Sequence, residues 1–259
     1  MDNTLNVVAD YIYKARRILF ITGAGLSADS GLPTYRGIGG LYEGRVTEEG
    51  LRIEEALSGS MLKTHPELTW KYLWQIGAAC SGAKFNRGHE VIAVIERSKP
   101  DIWVLTQNVD GLHCSAGTKN LIEPHGRVSE LYCVSCSFRT TADNLLAGYS
   151  VLIDLPPKCP SCAGVVRPNV VLFGERLPEK TLKMMNWLES AEIDLVFAVG
   201  TSGLFSYISQ PIHSAKMLKV PTVEINPCKT ILSKVVDYRI ESTAADALDR
   251  LWSMCSKLW

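Results

Sequence analysis

The stretch Ile18-Leu19-Phe20-Ile21-Thr22-Gly23-Ala24-Gly25-Leu26-Ser27-Ala28 decides the fold. Ile18 to Thr22 form an apolar run of strand length, followed by a glycine turn and the start of a helix. That layout brings backbone N–H groups to a pyrophosphate. Gly23, Gly25 and Ala28 keep the G-x-G-x-x-G/A spacing, in which the glycines permit a tight turn and the small third residue lets helix and strand pack. The spacing alone is weak. It is sharpened by the continuation Asp29-Ser30-Gly31-Leu32-Pro33-Thr34-Tyr35-Arg36-Gly37, because Gly31 and Pro33 stop the helix after about one to two turns. A dehydrogenase-like helix would run on to cross back over its sheet. Here the chain turns into a loop carrying Tyr35 and Arg36, placed to fold over the nicotinamide half of a dinucleotide. The pattern reads as a site that grips the dinucleotide in order to break it.

At 259 residues and 46% hydrophobic content, the chain is long enough for a large α/β unit with a real core. Its 27 basic residues balance 27 acidic ones, which leaves no overall field to draw in nucleic acid or an anionic membrane. The N-terminus is polar, and no apolar run reaches the roughly 18 residues that a membrane span requires. These features lead us to expect a soluble cytoplasmic protein without a signal peptide, with no membrane and no nucleic-acid partner.

Four of the eight cysteines fall in two C-x-x-C pairs, Cys133/Cys136 and Cys159/Cys162, separated by 22 residues. Two such pairs resemble zinc-ribbon spacing, at an interval slightly longer than the commonest, and four thiolates complete tetrahedral Zn²⁺ with no open position. A redox C-x-x-C is the alternative. It would normally sit at a helix N-terminus after a strand, whereas Cys159-Pro160-Ser161-Cys162-Ala163-Gly164 reads as a knuckle turn. Cys80, Cys114, Cys228 and Cys255 have no such pattern and read as small buried residues.

A helix over 2–15 precedes the first strand at about 17–22. Further strand-like runs lie at 102–106, 194–199 and 221–226, and helical stretches near 88–98, 178–191 and 243–257 alternate with them. Continuous apolar strands between helices predict an α/β fold with a parallel sheet covered on both faces. Ligands of such sheets bind beyond the carboxyl ends of the strands, where Gly23 to Gly25, Gln107-Asn108, Gly200-Thr201-Ser202 and Asn226 fall. Residues 38–86, largely helical, and 127–166, with the cysteine pairs, interrupt the alternation and are assigned to a smaller domain. Residues 1–37, 87–126 and 167–259 then form the dinucleotide-binding domain, and the substrate site lies in the cleft between the two.

In Thr106-Gln107-Asn108-Val109-Asp110-Gly111-Leu112-His113, Gln107 and Asn108 can contact ribose hydroxyls and Asp110 can accept from a carboxamide. The same residues also fit an Asx-type turn capping the next helix. His113 reads as structural. His125, in Ile122-Glu123-Pro124-His125-Gly126, sits on a turn facing the site, where a neutral imidazole can take a proton from a ribose hydroxyl.

With these motifs in place, and with Arg167-Pro168-Asn169-Val170-Val171-Leu172-Phe173-Gly174-Glu175 between the second cysteine pair and Gly200-Thr201-Ser202, the chain resembles the sirtuins, the NAD-dependent protein lysine deacylases, of bacterial type. The resemblance implies a Rossmann-like domain with a smaller zinc-ribbon and helical domain. It implies that an acyl-lysine side chain of a protein or peptide enters a tunnel, that nicotinamide leaves NAD, and that free lysine and O-acyl-ADP-ribose result. His125 would be the general base, with Asn108 as the second catalytic residue. Ala24, Gly25, Pro33, Tyr35 and Arg36 would enclose NAD, with Gly23 and Ser27 in the same motif. Asn108 and Asp110, with Gln107 and Val109 beside them, would hold the nicotinamide and ribose. Gly200, Thr201, Ser202 and Asn226 would take the phosphate and adenosine side. Val171 to Glu175, including Phe173 and Gly174, would offer an edge to which the peptide adds as a strand.

Relatives that prefer succinyl- or malonyl-lysine carry Tyr-x-x-Arg in the small-domain helix, since a buried carboxylate needs a cationic fork. Here Leu73 and Ile76 stand at those positions, and residues 53–86 hold no arginine. The expectation is an apolar acyl pocket that takes acetyl or longer fatty chains; the alternative is that Leu73 and Ile76 only pack the helix and carry no information on chain length. Two other enzymatic outcomes break the same bond, mono-ADP-ribosyl transfer and NAD hydrolysis. A non-enzymatic alternative is a zinc-ribbon interaction module that senses NAD.

Overall fold

The computed structural model describes residues 2–34, 46–99, 101–147 and 155–256. Its large sheet has six parallel strands, and its strand order follows from which strands bury both faces. Strands β1 (Arg17–Thr22) and β2 (Asp101–Thr106) pair in register, with Ile18 opposite Ile102. Next come β3 (Leu121–Ile122), the small-unit strands β4 (Gly126–Cys133), β5 (Arg139–Thr141) and β6 (Val166–Val170), and then β7 (Leu195–Val199), β8 (Thr222–Ile225) and β9 (Tyr238–Ile240). The six-stranded order is β3-β2-β1-β7-β8-β9, which leaves β1 at the centre between β2 and β7.

Side chains of β1 alternate between two cores, as the period of a strand requires. Ile18 and Phe20 join one cluster, where Phe20 stacks on Phe197 with ring centroids 4.8 Å apart, and Leu19 and Ile21 join the opposite one. The helices, in chain order, are α1 (Asp2–Lys14), α2 (Ala24–Ala28), α3 (Ile53–Ala56), α4 (Gly59–Thr64), α5 (Pro66–Cys80), α6 (Arg87–Ser98), α7 (Leu112–Ser115), α8 (Ala142–Leu146), α9 (Glu179–Ser190), α10 (Ser206–Met217) and α11 (Ala244–Cys255). Helices α1, α6 and α11 cover the Phe20 face, while α9 and α10 cover the other with Met185, Leu188, Ile208 and Ile212.

A third core lies outside the large sheet. Trp70, Leu73 and Ile76 of α5 pack against Val128, Leu131, Cys133, Cys159 and Val166, and the Trp70 indole N–H donates to the Val166 carbonyl at 2.8 Å. Strands β5-β4-β6 form an antiparallel sheet here. The expected boundary at 166/167 therefore needs correction: Arg167 to Val170 run in the small sheet, because β6 pairs with β4 from Cys133↔Val166 to Gly126↔Val170. The five-residue α2 agrees with a helix stopped early by Gly31 and Pro33. Strand β9 and helix α10 lie beyond the pattern read from sequence. Three residues with one fully buried side chain give β9 little periodicity, and α10 holds Pro211 in its interior, which reads as a breaker.

Candidate active site

Four strand ends converge on one cavity of about 1230 Å³. Gly23, Ala24 and Gly25 follow β1, Gln107, Asn108 and Val109 follow β2, Gly200, Thr201 and Ser202 follow β7, and Asn226 follows β8; all line it. His125, Leu73, Ile76, Val171, Phe173, Gly174 and Glu175 line it from the small-unit side. Ser27, Pro33 and Asp110 line a small cavity of about 30 Å³ that shares Ala24, Ile76, Asn108 and Val109 with the large one. Tyr35 and Arg36 lie outside the described residues.

The glycine loop does something the spacing did not reveal. The Gly23 and Gly25 N–H groups donate to the carbonyls of Val199 and Gly200, at 3.0 and 2.9 Å, so neither is spare for a phosphate. These glycines fuse the β1 turn to the β7 turn. A Cβ on Gly25 would lie 2.7 Å from Gly200 Cα, and Gly200, at φ +59°, would place its own Cβ 2.4 Å from the Leu26 nitrogen. These two amides close a backbone weld between the β1 and β7 turns, beside the cavity that Gly23, Ala24 and Gly25 line.

Beyond β2, Asn108 is 5% exposed and donates its amide to the Gly23 carbonyl and to Ser27 Oγ, both at 3.0 Å. Ser27 donates in turn to Asp110 at 2.7 Å, and the Leu112 N–H donates to the other Asp110 oxygen at 2.9 Å. The Asx-type turn capping α7 is thus present. Burial pushes the Asp110 carboxyl up, partly offset by these two donors. Gln107 donates to Thr201 Oγ1 at 2.6 Å and ties β2 to β7. His113 packs away from the cavity, with Nε2 2.9 Å from Thr22 Oγ1 and its ring edge-on to His89 at 4.9 Å.

His125 is held from two sides. Its Nδ1 lies 2.8 Å from the Gln107 carbonyl oxygen, which can only accept, so the proton is on Nδ1 and Nε2 carries the lone pair. Gly126 fixes the ring's departure angle: at φ +75° it begins β4, and a Cβ there would lie 1.9 Å from the Asn169 carbonyl oxygen. Burial lowers the His125 pKa from the usual imidazole value, with the Gln107 bond opposing. Nε2 meets the Tyr207 hydroxyl at 2.6 Å. Tyr207 escapes sequence reasoning because 82 residues separate it from His125 and no spacing rule links them.

The four cysteine sulfurs lie within 4.8 Å of one another, with Cys133–Cys162 at 3.5 Å and Cys136–Cys159 at 3.6 Å. Sulfurs about 2.3 Å from a tetrahedral zinc would be about 3.8 Å apart, so the set fits Zn²⁺. Ser135 and Ser161 N–H groups point at Cys133 and Cys159 sulfur at 3.3 and 3.4 Å, as donors to thiolates. Of the other cysteines only Cys255 is fully buried. Cys114 and Cys228 are exposed, which corrects the expectation that all four are buried; Cys228 borders the large cavity, where loop packing leaves its side chain uncovered.

A model of the Sir2 family matches residues 23–206. The chain belongs to the Sir2 family. The Sir2 chain is 48% identical over 249 residues to NAD-dependent protein deacylase 2 of Pseudomonas aeruginosa, covering 95% of each chain. It is 47% identical to the protein of the same name from Pseudomonas syringae pv. tomato, covering 95% of this chain and 98% of that one. Among solved structures it resembles a Sir2 homolog–NAD complex (TM-score 0.83, 31% identity, 97% and 94% covered). It also resembles a Sir2–p53 peptide–NAD⁺ complex (TM-score 0.81, 27% identity, 97% and 98% covered). Among its described residues, no helix is long and apolar enough to cross a membrane.

Two further features of this Sir2 site lay beyond sequence reasoning. Glu224, fully buried on β8, accepts from Thr230 and Ser233 hydroxyls and so fastens the loop after Asn226 that borders the cavity. Arg167, 4% exposed, grips Glu175 through both terminal nitrogens at 2.6 and 3.0 Å, and the Leu172 N–H donates to the same carboxylate. That clamp shapes the 171–175 edge.

Proposed function

We propose that this chain is an NAD-dependent protein lysine deacylase that prefers apolar acyl groups. The observation that carries the reading is His125, its Nδ1 held by the Gln107 carbonyl, facing a cavity whose one side is the welded glycine turns and whose other side is Leu73, Ile76 and Val128. NAD, when bound, supplies the glycosidic bond that breaks and the ADP-ribose that accepts the acyl group. The welded turn of Gly23, Ala24 and Gly25 would wall its pyrophosphate, and Gly200, Thr201, Ser202 and Asn226 would hold its phosphate and adenosine portion. Asn108 and Asp110, with Gln107, Val109, Ser27 and Pro33, would hold the nicotinamide half. His125 would take the ribose hydroxyl proton at Nε2, and a zinc on the four cysteines would serve structure only.

Leu73 and Ile76 are 3% and 7% exposed and carry no group able to pair a carboxylate. A succinyl headgroup there would lose its hydration without compensation, whereas a methyl or alkyl chain would gain contact. The peptide would dock on the 171–174 edge. At Phe173 both backbone groups already pair with Leu57 and Gly59, and the Val171 N–H donates to the His125 carbonyl at 3.0 Å, so strand addition would use the Val171 carbonyl and the backbone groups of Gly174. Balanced charge supports a peptide rather than a nucleic-acid partner, and a reducing, cytoplasmic setting suits free thiols.

The test is product analysis after incubation with NAD and matched acetyl-, myristoyl- and succinyl-lysine peptides. Peptide-dependent nicotinamide and O-acyl-ADP-ribose are expected from the apolar acyl peptides and lost in His125→Ala. Nicotinamide release that ignores the peptide would instead support hydrolysis or ADP-ribosyl transfer, and efficient succinyl turnover would overturn the pocket argument.

A further inference from the structure

An imidazole nitrogen has one lone pair, and at His125 Nε2 it is already occupied. Because Nδ1 donates to the Gln107 carbonyl, Nε2 is the acceptor and the Tyr207 phenol, 2.6 Å away, is the donor. While that bond stands, no other hydroxyl can hand a proton to the base directly. Tyr207 is fixed in place: its ring stacks on Phe205 at 5.6 Å and 22°, and both rings stand edge-on to His125. It also lines the cavity, and a phenol oxygen keeps the capacity to accept after donating.

We propose that Tyr207 relays the proton from a ribose hydroxyl to His125, a role that rests on the deacylase reading. The ribose O–H bond breaks as its proton passes to the phenol oxygen, and the phenol's own proton passes to Nε2. His125 ends as imidazolium, Tyr207 is neutral before and after, and the ribose oxygen keeps the electron pair with which it takes the acyl carbon. No further reactant is consumed. Burial raises the Tyr207 pKa, consistent with a phenol that starts protonated.

The test is Tyr207→Phe, which keeps the ring and its stacking and removes only the hydroxyl. Two rates are followed in the same sample: peptide-dependent exchange of labelled nicotinamide into NAD, which reads bond cleavage before the relay acts, and O-acyl-ADP-ribose formation, which reads the acyl transfer that needs the relay. Their ratio does not depend on how much of the variant is folded. The expected result is a ratio of product formation to exchange that falls by about 10²-fold, the scale of a lost proton-transfer group. Product formation as fast as, or faster than, in the unsubstituted protein would overturn the relay and make Tyr207 a plug on the base. Equal loss of both rates would overturn it also, leaving a packing role. No peptide-dependent exchange in the unsubstituted protein would overturn the deacylase reading and the relay with it.

Discussion

His125 owes its chemistry to two backbone decisions, the Gln107 carbonyl that holds its Nδ1 proton and the left-handed Gly126 that lets β4 start beside Asn169. Burial disfavours its cation more than the Gln107 bond favours it, so its pKa sits below 6.5. In its proposed role as base the neutral form is the active one, so activity is expected to be retained as pH falls through 6.5 and lost only further down. The acid limb of kcat/KM for acetyl-peptide is therefore expected to have its midpoint below pH 6.5, and a midpoint above 7 would contradict the geometry. His125 was legible in the sequence because proline and glycine flank it on a turn. Its occupied Nε2 was not, since that depends on where α10 is laid down against β4.

At the scale of elements, the 171–175 edge is held by a clamp that no motif announces. Arg167 on β6 is buried, and Glu175 supplies its countercharge while capping the Leu172 N–H. Removing one partner of a buried pair strands the other, at about 3–5 kcal/mol; the Glu175 side chain keeps 29% exposure, so Glu175→Gln is expected to cost about 2 kcal/mol. In a thermal melt that is a Tm roughly 4–8 °C lower. The Arg167 and Leu172 bonds lower the Glu175 pKa against the opposing effect of burial. The carboxylate's contribution is therefore full above pH 4.5 and fades as pH falls below it, so the gap between variant and parent should close in acid. A gap that stays constant to pH 3 would count against the clamp. Long apolar strands and the cysteine turns were readable at this scale because periodicity and spacing are local. The pairing of β6 with β4, the clamp and the three-residue β9 were not, because each exists only through partners distant in sequence.

For the whole molecule, the four-cysteine set and His125, the proposed base, meet at a single strand. β4 begins at Gly126, next to His125, and ends at Cys133, one of the four sulfurs. Chelation of the metal from the purified protein is expected to lower Tm and to weaken hydrogen-exchange protection in 126–141 and 166–170 before the six-stranded sheet is affected. Deacylation should fall in parallel, and full activity in a zinc-free protein would refute the coupling. The weld between Gly25 and Gly200 carries a consequence for synthesis. β1 is finished within the first tenth of translation, yet its neighbour β7 and the carbonyl that receives the Gly25 N–H come 170 or so residues later. The nascent chain thus leaves the ribosome with its central strand open on both edges, and its cradle closes only once residue 200 has emerged. Non-local pairing of this kind folds slowly and exposes sticky edges meanwhile. A truncated chain ending short of β7 would present the glycine motif intact in sequence and have nothing for it to close upon.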